Sequence, residues 1–169
     1  AIQFSTFNAG AVETEGFEAD LLWYTEVPGL TLRGQFAWSD ATNTGDFFNT
    51  SGVNLRGSER SYSPEFAGSL GFSYDAGLGA GWRLNLSSDA RYSDDYGWGV
   101  YVNSPRQDSY WMNDAALSLY SEDGTHSFNL IGRNLGDEIV IVTGGSIPGR
   151  VATRCLLYTS PSPRDETKS

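Results

Sequence analysis

The chain has few of the residues that enzymes use most often. It contains one histidine, His126, which lies beside a predicted tight turn and is expected to be solvated rather than to bind a metal. The acidic pairs Asp94-Asp95 and Asp137-Glu138 lie in or at the start of loops, where we interpret them as solvated charge rather than as a calcium site. No acidic residue is accompanied by the base or nucleophile that catalysis needs. We therefore predict no catalytic residues, no metal, no cofactor and no enzymatic activity.

Long apolar runs and positive charge are also scarce. No stretch of 18 or more apolar residues occurs, which excludes a transmembrane helix. The formal net charge of −10 argues against nucleic-acid binding, because phosphate recognition needs a clustered basic surface. The sequence begins at Ala1 rather than at methionine, so we expect the natural N-terminus, with any signal peptide, to lie upstream.

What the sequence does contain is a series of six amphipathic segments joined alternately by short and long connections. The short connections are predicted tight turns at Val27–Gly29, Ala76–Gly81 and Ser121–Thr125. The long connections are polar and run through Asp40–Glu65, Ser93–Ser109 and Gly136–Pro148. In an up-and-down strand order this alternation places every long loop at one end. Outer-membrane barrels have that arrangement, whereas a soluble β-sandwich has no reason to adopt it.

Each segment alternates polar and apolar residues with a period of two. In the second segment Leu30, Leu32 and Phe36 alternate with Thr31 and Arg33. This period indicates strands with one wet face and one apolar face. The strands are predicted at Phe17–Tyr24, Leu30–Trp38, Phe66–Asp75, Trp82–Tyr92, Trp111–Tyr120 and Phe128–Asn134.

Charge is confined to one face of these predicted strands. An arginine or lysine facing lipid at the bilayer midplane costs about 2–4 kcal/mol, so a membrane barrel should keep charge on its inner face. A soluble sandwich would also direct most charges outward, so the pattern favours a barrel only modestly. The nine charged residues on the predicted polar face are Glu18, Asp20, Arg33, Asp75, Arg83, Asp89, Arg91, Asp114 and Arg133.

Aromatic residues cluster near both ends of the predicted strands. Trp82 and Tyr92 are ten positions apart on one face, and a tilted strand needs about 9–11 residues to cross the hydrocarbon layer. We interpret the aromatic residues as two interfacial belts. One belt flanks the tight turns and the other lies toward the long loops: Trp23, Tyr24, Tyr74, Trp82 and Tyr120 in the first, Trp38, Tyr92 and Trp111 in the second.

These patterns together predict an all-β protein, an antiparallel up-and-down meander of about six full strands and one or two partial ones. We interpret it as a fragment of a large transmembrane β-barrel. Because barrel diameter grows with strand number, so few strands cannot enclose a plugged lumen. An open curved sheet is therefore expected, the alternative being a forced small barrel.

The last fifteen residues differ from the rest of the chain. The run Cys155–Asp165 resembles the in-frame translation of a transposase-type sequencing adapter, and Glu166–Ser169 would then be flanking primer. We predict that residues 155–169 are a non-native disordered tail, the alternative being a natural Pro/Ser-rich tail. Cys155, the only cysteine, consequently carries no information about redox compartment.

Several short motifs, in order, resemble TonB-dependent outer-membrane receptors. The resemblance covers about Asn8–Arg154, and each motif is weak alone. Their order and separation make the set more specific. The matching segments are Asn8–Gly10 with Glu15–Glu18, the turn into a strand at Val27–Leu32, the short turn at Tyr120–Gly124, and Gly132–Glu138, which reads GRNLGDE.

The resemblance implies that residues 1–154 are the C-terminal part of a twenty-two-stranded barrel in the outer membrane of a Gram-negative bacterium. Such receptors take up a scarce nutrient (a siderophore, a cobalamin-like cofactor or an oligosaccharide) with energy delivered by TonB. The implied partners are outer-membrane lipid, the TonB complex acting through a plug domain, and a small-molecule or oligosaccharide ligand, with no nucleic acid. The plug, a complete final strand and the usual terminal aromatic residue are expected to lie outside this sequence.

The long loops hold the candidate ligand contacts. Aromatic side chains offer contact area and arginine offers a planar donor fork. The alternative is that these residues extend the strands above the membrane. The ten candidates are Phe47, Phe48, Arg56, Arg60, Tyr62, Tyr96, Trp98, Tyr101, Arg106 and Tyr110.

Two groups of alternatives stay open from the sequence. The charged residues of the inner face, among them Arg33, Arg83, Asp89, Arg91 and Arg133, are expected to pair with one another or with a plug rather than with substrate. For the whole chain, the alternatives to a receptor are a passive porin-like barrel and a soluble β-sandwich that binds carbohydrate. Upstream sequence and solubility would separate these alternatives.

Overall fold

The computed structural model describes residues 10–49, 52–98, 105–141, 143–147 and 150–154, the last two as backbone only. It is all-β, as predicted. The strands are β1 (Val12–Tyr24), β2 (Leu30–Asn43), β3 (Phe66–Gly79), β4 (Trp82–Ser93), β5 (Tyr96–Gly97), β6 (Arg106–Gln107), β7 (Tyr110–Ser121), β8 (Ser127–Gly132), β9 (Thr143–Ile147) and β10 (Arg150–Arg154).

Six of these strands form one antiparallel sheet in the order β1-β2-β3-β4-β7-β8, which confirms the predicted meander. The sheet is open, because β1 and β8 are its edges and do not pair with each other. The short strands β5 and β6 pair separately within a long connection, and β9 pairs with β10. The third long connection predicted, Gly136–Pro148, is therefore interrupted by a strand. The predicted tail at 155–169 lies outside the described residues.

The predicted tight turns join the strands of this sheet. Between β1 and β2, the amide of Leu30 donates to the carbonyl of Val27 at 3.1 Å, and Gly29 adopts φ +82°. β3 continues to Gly79, so its turn to β4 is narrower than predicted and consists of Ala80 and Gly81, both with positive φ. Short turns thus stand at one end of the sheet, and the connections 44–65 and 94–109 stand at the other.

The register joins most of the large apolar residues of the six strands on one side, here called the apolar face, while Leu22, Met112 and Ile131 lie on the other side. Phe17 lies opposite Trp38, which lies opposite Phe66, and the rings of Phe17 and Phe36 are 5.5 Å apart. In the described residues no second layer packs on this face: the Leu70 side chain, at mid-strand, is 65% exposed. The two-layer sandwich is therefore not what these strands form.

The apolar face ends where the long loops begin. One step beyond Phe17 and Trp38, Glu15 lies opposite Asp40 on the same side of the sheet. The indole Nε1 of Trp38 donates to Glu65 at 3.1 Å at this boundary. Tyr92 and Trp111 are also paired at the loop end, with ring centroids 5.1 Å apart.

The aromatic belt at the turn end contains fewer residues than the sequence predicts. The register places Tyr24 opposite Thr31 and Tyr120 opposite Arg83, so both tyrosines lie on the other side of the sheet. Proximity to a turn does not determine the face, because successive residues of a strand point to opposite sides. Trp82 lies on the apolar face and stacks against His126, with ring centroids 6.4 Å apart.

The opposite side of the sheet, here called the charged face, carries eight of the nine predicted charges, while Arg133 follows the end of β8. Three arginines form ion pairs there, as expected. Arg33 bonds Asp89 through two atoms, at 3.0 and 2.6 Å, and Arg91 bonds Asp114 at 2.5 Å. Asp75 accepts from Arg83 and from the Tyr120 hydroxyl.

Gly71 makes the first of these ion pairs possible. It lies between Arg33 and Asp89 in the register, and the pair spans it because no side chain stands there. A Cβ at Gly71 would lie 2.5 Å from Asp89 Oδ1 and 2.9 Å from Arg33 Nε. The glycine therefore has a packing role on this face.

Burial is concentrated at the loop end rather than in the sheet. The apolar residues buried in the described part of the chain are Ala41, Leu55, Tyr96 and Trp98, all at the end of the sheet that carries the long connections. No helix among the described residues is long and apolar enough to cross a bilayer. The best packed part of the structure is thus the loop region, which also holds the candidate ligand residues.

Candidate functional site

The connection between β2 and β3 folds back over the end of its own strand. The amide of Asn43 donates to the Ser58 carbonyl at 3.0 Å, and its side-chain amide bonds the Ser58 carbonyl and hydroxyl. The amide of Arg60 donates to the Ala41 carbonyl at 2.8 Å. These bonds hold the described part of the connection against the loop end of β2, where Leu55 is also buried.

Three predicted tyrosines converge beside it. The rings of Tyr62 and Tyr96 are 6.2 Å apart, and Tyr96 also faces the hydroxyl of Tyr110. The Tyr62 amide donates to the Gly97 carbonyl at 2.8 Å, which joins the two long connections. Tyr62 is half exposed and adopts φ +61°. A bulky residue in the left-handed region costs on the order of 1–3 kcal/mol, and such strain concentrates at functional sites.

Tyr96 and Trp98 are buried, unlike Tyr62. Burial raises the pKa of Tyr96, and the neighbouring Tyr110 adds to the shift. Trp98 is 7% exposed, and its indole Nε1 has no hydrogen-bond partner within the described ranges. Both side chains are thus buried at the loop end, and the ring of Tyr96 lies beside that of Tyr62.

Arg106 bridges the two long connections. Its Nε donates to Asp95 at 2.7 Å within its own connection, and its Nη1 donates to Glu59 of the β2–β3 connection at 3.0 Å. The hydrogen bond to Glu59, followed by that to Asp95, raises the pKa of the guanidinium. The guanidinium of Arg106 therefore pairs with two carboxylates, one from each long connection.

The remaining candidates lie at or near the far end of the β2–β3 connection. Phe48 is 60% exposed beside a one-residue bridge to Asn54. Arg56 lies 3.6 Å from Asp46, whose pKa is lowered first by a hydrogen bond from Asn54 and then by Arg56. Phe47 belongs to the same hairpin, as its amide donates to the Asn54 side chain.

The structure thus gathers some of the predicted residues and leaves others apart. We call Tyr62, Tyr96, Trp98, Tyr110 and Arg106 the loop cluster. Phe47, Phe48 and Arg56 instead contact Asn54, Leu55 and Asp46 within the β2–β3 connection. Arg60 is tied to the β2 edge by its backbone, and Tyr101 lies outside the described residues.

Sequence reasoning missed three residues that hold the loop cluster together. Glu59 and Asp95 anchor Arg106, and Gln107 Oε1 accepts from the Ile141 amide at 2.7 Å, which attaches the segment after β8. From the sequence, Asp95 is expected to be solvated charge, whereas the structure pairs both Asp95 and Glu59 with Arg106. Their opposite charge to Arg106 was the signal available in the sequence.

The charged face provides a second, open concavity of about 630 Å³. Its lining includes Asp20, Gln35, Ser69, Arg91 and Asp114. Arg33 and Asp89, which form an ion pair, also line it. No group of three histidine, cysteine, aspartate or glutamate residues in the described ranges is arranged to hold a metal ion.

The comparisons with known proteins agree with this geometry. The chain matches no curated protein and no solved structure. Residues 1–135 match the family model described as TonB dependent receptor-like, beta-barrel, and thus most of the chain is covered. Members of that family are receptors that act in transport across the Gram-negative outer membrane. The chain belongs to the TonB-dependent receptor-like β-barrel family.

Proposed function

We propose that this chain forms part of the wall and outer mouth of a receptor that takes up a scarce nutrient, without altering it chemically, by using energy from TonB. The observation that carries the proposal is the division of the sheet. One face is apolar and uncovered, the other carries paired charges, and the ordered loops stand at one end. This division fits lipid outside, water inside and a ligand arriving at the loops.

The aromatic side of the loop cluster is the proposed place of first ligand contact. Tyr62 is its most exposed aromatic member, and its backbone is held in a strained conformation by neighbouring contacts. A rigid, half-exposed ring offers contact area at low entropic cost on binding. The buried Tyr96 ring packs beside it.

Charge at the loop end narrows the class of ligand. The three long connections predicted from the sequence contain nine carboxylates and three arginines, a formal balance of −6. Two of these arginines, Arg56 and Arg106, already pair with carboxylates. A mouth of this charge repels anions through its summed field. We therefore propose a neutral or cationic ligand, which leaves neutral oligosaccharides, cobalamin-like cofactors and uncharged or cationic siderophores.

Uptake in cells tests the proposal. We expect the full-length receptor to accumulate radiolabelled cobalamin or a neutral maltooligosaccharide, and not an anionic ferric siderophore, in cells that contain TonB. Tyr62→Ala is expected to weaken binding of the accumulated probe about tenfold or more, as loss of an aromatic anchor does. Tyr62→Phe, which keeps the ring, serves as the control.

The same assay separates the alternatives. Uptake that continues unchanged in cells without TonB would contradict energy coupling and favour a passive porin-like barrel. Accumulation of the anionic siderophore alone would contradict the proposed ligand class. Equal uptake by Tyr62→Ala and wild type would remove the loop cluster from the binding site.

The sidedness of the sheet gives a further prediction. Val53 at the tip of the β2–β3 connection and Asp123 in the β7–β8 turn are both exposed and stand at opposite ends. In a full-length receptor without other accessible cysteines, Val53→Cys on intact cells is expected to react with a membrane-impermeant maleimide, whereas Asp123→Cys should react only after cell lysis. Labelling of both positions on intact cells would refute the proposed orientation.

A further inference from the structure

We propose that Arg106 is a positioning residue, which clamps the two long connections into one unit, rather than a contact for the ligand. This inference rests on the proposed function only in treating the loop cluster as a binding site. The clamp itself is a property of the loops. This role differs from the one expected of Arg106 from its residue type, because an arginine among loop aromatic residues would ordinarily be expected to bind an anion.

The donor fork of Arg106 is already occupied. Its Nε and Nη2 both lie 2.7 Å from Asp95 Oδ2, and its Nη1 lies 3.0 Å from Glu59 Oε2. All three nitrogens of the guanidinium therefore face carboxylates of the protein. An anionic ligand would have to displace one of them, and that carboxylate would then lose its charge partner.

The clamp acts where the two connections already meet. Glu59 is three residues before Tyr62, whose amide bonds Gly97, and Asp95 directly precedes Tyr96. By holding Glu59 near Asp95, Arg106 therefore also holds Tyr62 near Tyr96. The next residue after Arg106, Gln107, is buried and holds the segment after β8 through Ile141. The pair Arg106 and Gln107 thus joins three segments of chain.

Replacing Arg106 with a neutral residue should do more than remove two ion pairs. Glu59 and Asp95 approach the same guanidinium, so without it two carboxylates from different loops face each other. Their repulsion would push the connections apart. The side chains of all three residues are 44–47% exposed, so salt should screen both the attraction and the repulsion.

Distance measurements between the two loops test the clamp without any ligand or TonB. Spin labels at Val53→Cys and Ser109→Cys, in full-length receptor without other accessible cysteines in lipid vesicles, report the separation of the connections. We expect Arg106→Gln to widen the distance distribution about twofold and Arg106→Lys, which keeps the charge, to restore much of the wild-type width. Raising salt from about 0.01 to 1 M should widen the wild-type distribution.

Arg56→Gln is the matched control, because Arg56 pairs with Asp46 inside a single connection. It should leave the distribution between the loops unchanged. Trypsin gives a second measurement, in which cleavage after Arg60 should become about tenfold faster in Arg106→Gln. Unchanged distances and cleavage in Arg106→Gln, or equal widening in Arg56→Gln, would overturn the clamp. Failure of TonB-dependent uptake would overturn the proposed function and leave these loop measurements standing.

Discussion

Replacing Leu70 with arginine is expected to destabilise the receptor in a lipid bilayer by about 2–4 kcal/mol. Leu70 lies at the middle of β3 on the apolar face, opposite Gly34 and Ala90, and its side chain is 65% exposed. If hydrocarbon covers this face, a guanidinium there has no water to solvate it. If water covers it, the same substitution at an exposed position should change stability by less than about 0.5 kcal/mol. The two environments therefore predict clearly different results.

Urea unfolding of the full-length receptor in vesicles measures this difference, and heat-dependent mobility in detergent gels shows whether the barrel has folded. Ser73→Arg is the matched control, because Ser73 lies on the charged face of the same strand, opposite Thr31 and Ser87. We expect it to unfold at nearly the wild-type urea concentration. Equal stability of Leu70→Arg and Ser73→Arg would mean that the apolar face does not meet lipid.

Replacing Gly29 with alanine is expected to cost more than about 3 kcal/mol, since left-handed strain and steric overlap add. Gly29 adopts φ +82°, where a side chain alone costs on the order of 1–3 kcal/mol. An added Cβ would also overlap the carbonyl oxygen of Asp75 on β3. That contact is part of the turn, because the Asp75 amide donates to the Gly29 carbonyl at 2.9 Å. The turn would have to move away from β3.

Gly57→Ala separates the cost of left-handed strain from the cost of steric overlap. Gly57 has nearly the same φ, +78°, but an added Cβ there would meet no atom within 4 Å. Its cost should therefore be the strain alone, about 1–2 kcal/mol. Both variants are compared by denaturant unfolding of the same receptor. A Gly29→Ala variant no less stable than Gly57→Ala would show that the turn does not pack against β3.

The strands and their faces were predictable because their pattern is local. Alternation of apolar and polar residues fixed which side of β2, β3 and β4 each residue occupies, and the register agrees with it. The start of β1 was missed, because Val12–Gly16 lacks large apolar residues at every second position although it pairs fully with Ser39–Asn43. Pairing along an existing strand can extend a neighbour that has no amphipathic pattern of its own.

The arrangement of the loop cluster was less predictable, because it depends on contacts between residues distant in sequence. Arg106 and Glu59 are 47 positions apart, and no local pattern relates them. Residue type identified the aromatic candidates, but it did not distinguish buried Tyr96 from half-exposed Tyr62. That distinction follows from how the two connections meet, which also decides whether an arginine is available to a ligand.

The unpaired outer strands β1 and β8 affect how this protein must be handled. Within the described residues, each presents a row of amide and carbonyl groups with no neighbouring strand, and an uncapped row of this kind recruits other chains. Any recombinant segment bounded by these two strands would therefore stack into aggregates during purification. Co-expression with the remaining strands, or refolding in their presence, is the route to a monodisperse sample.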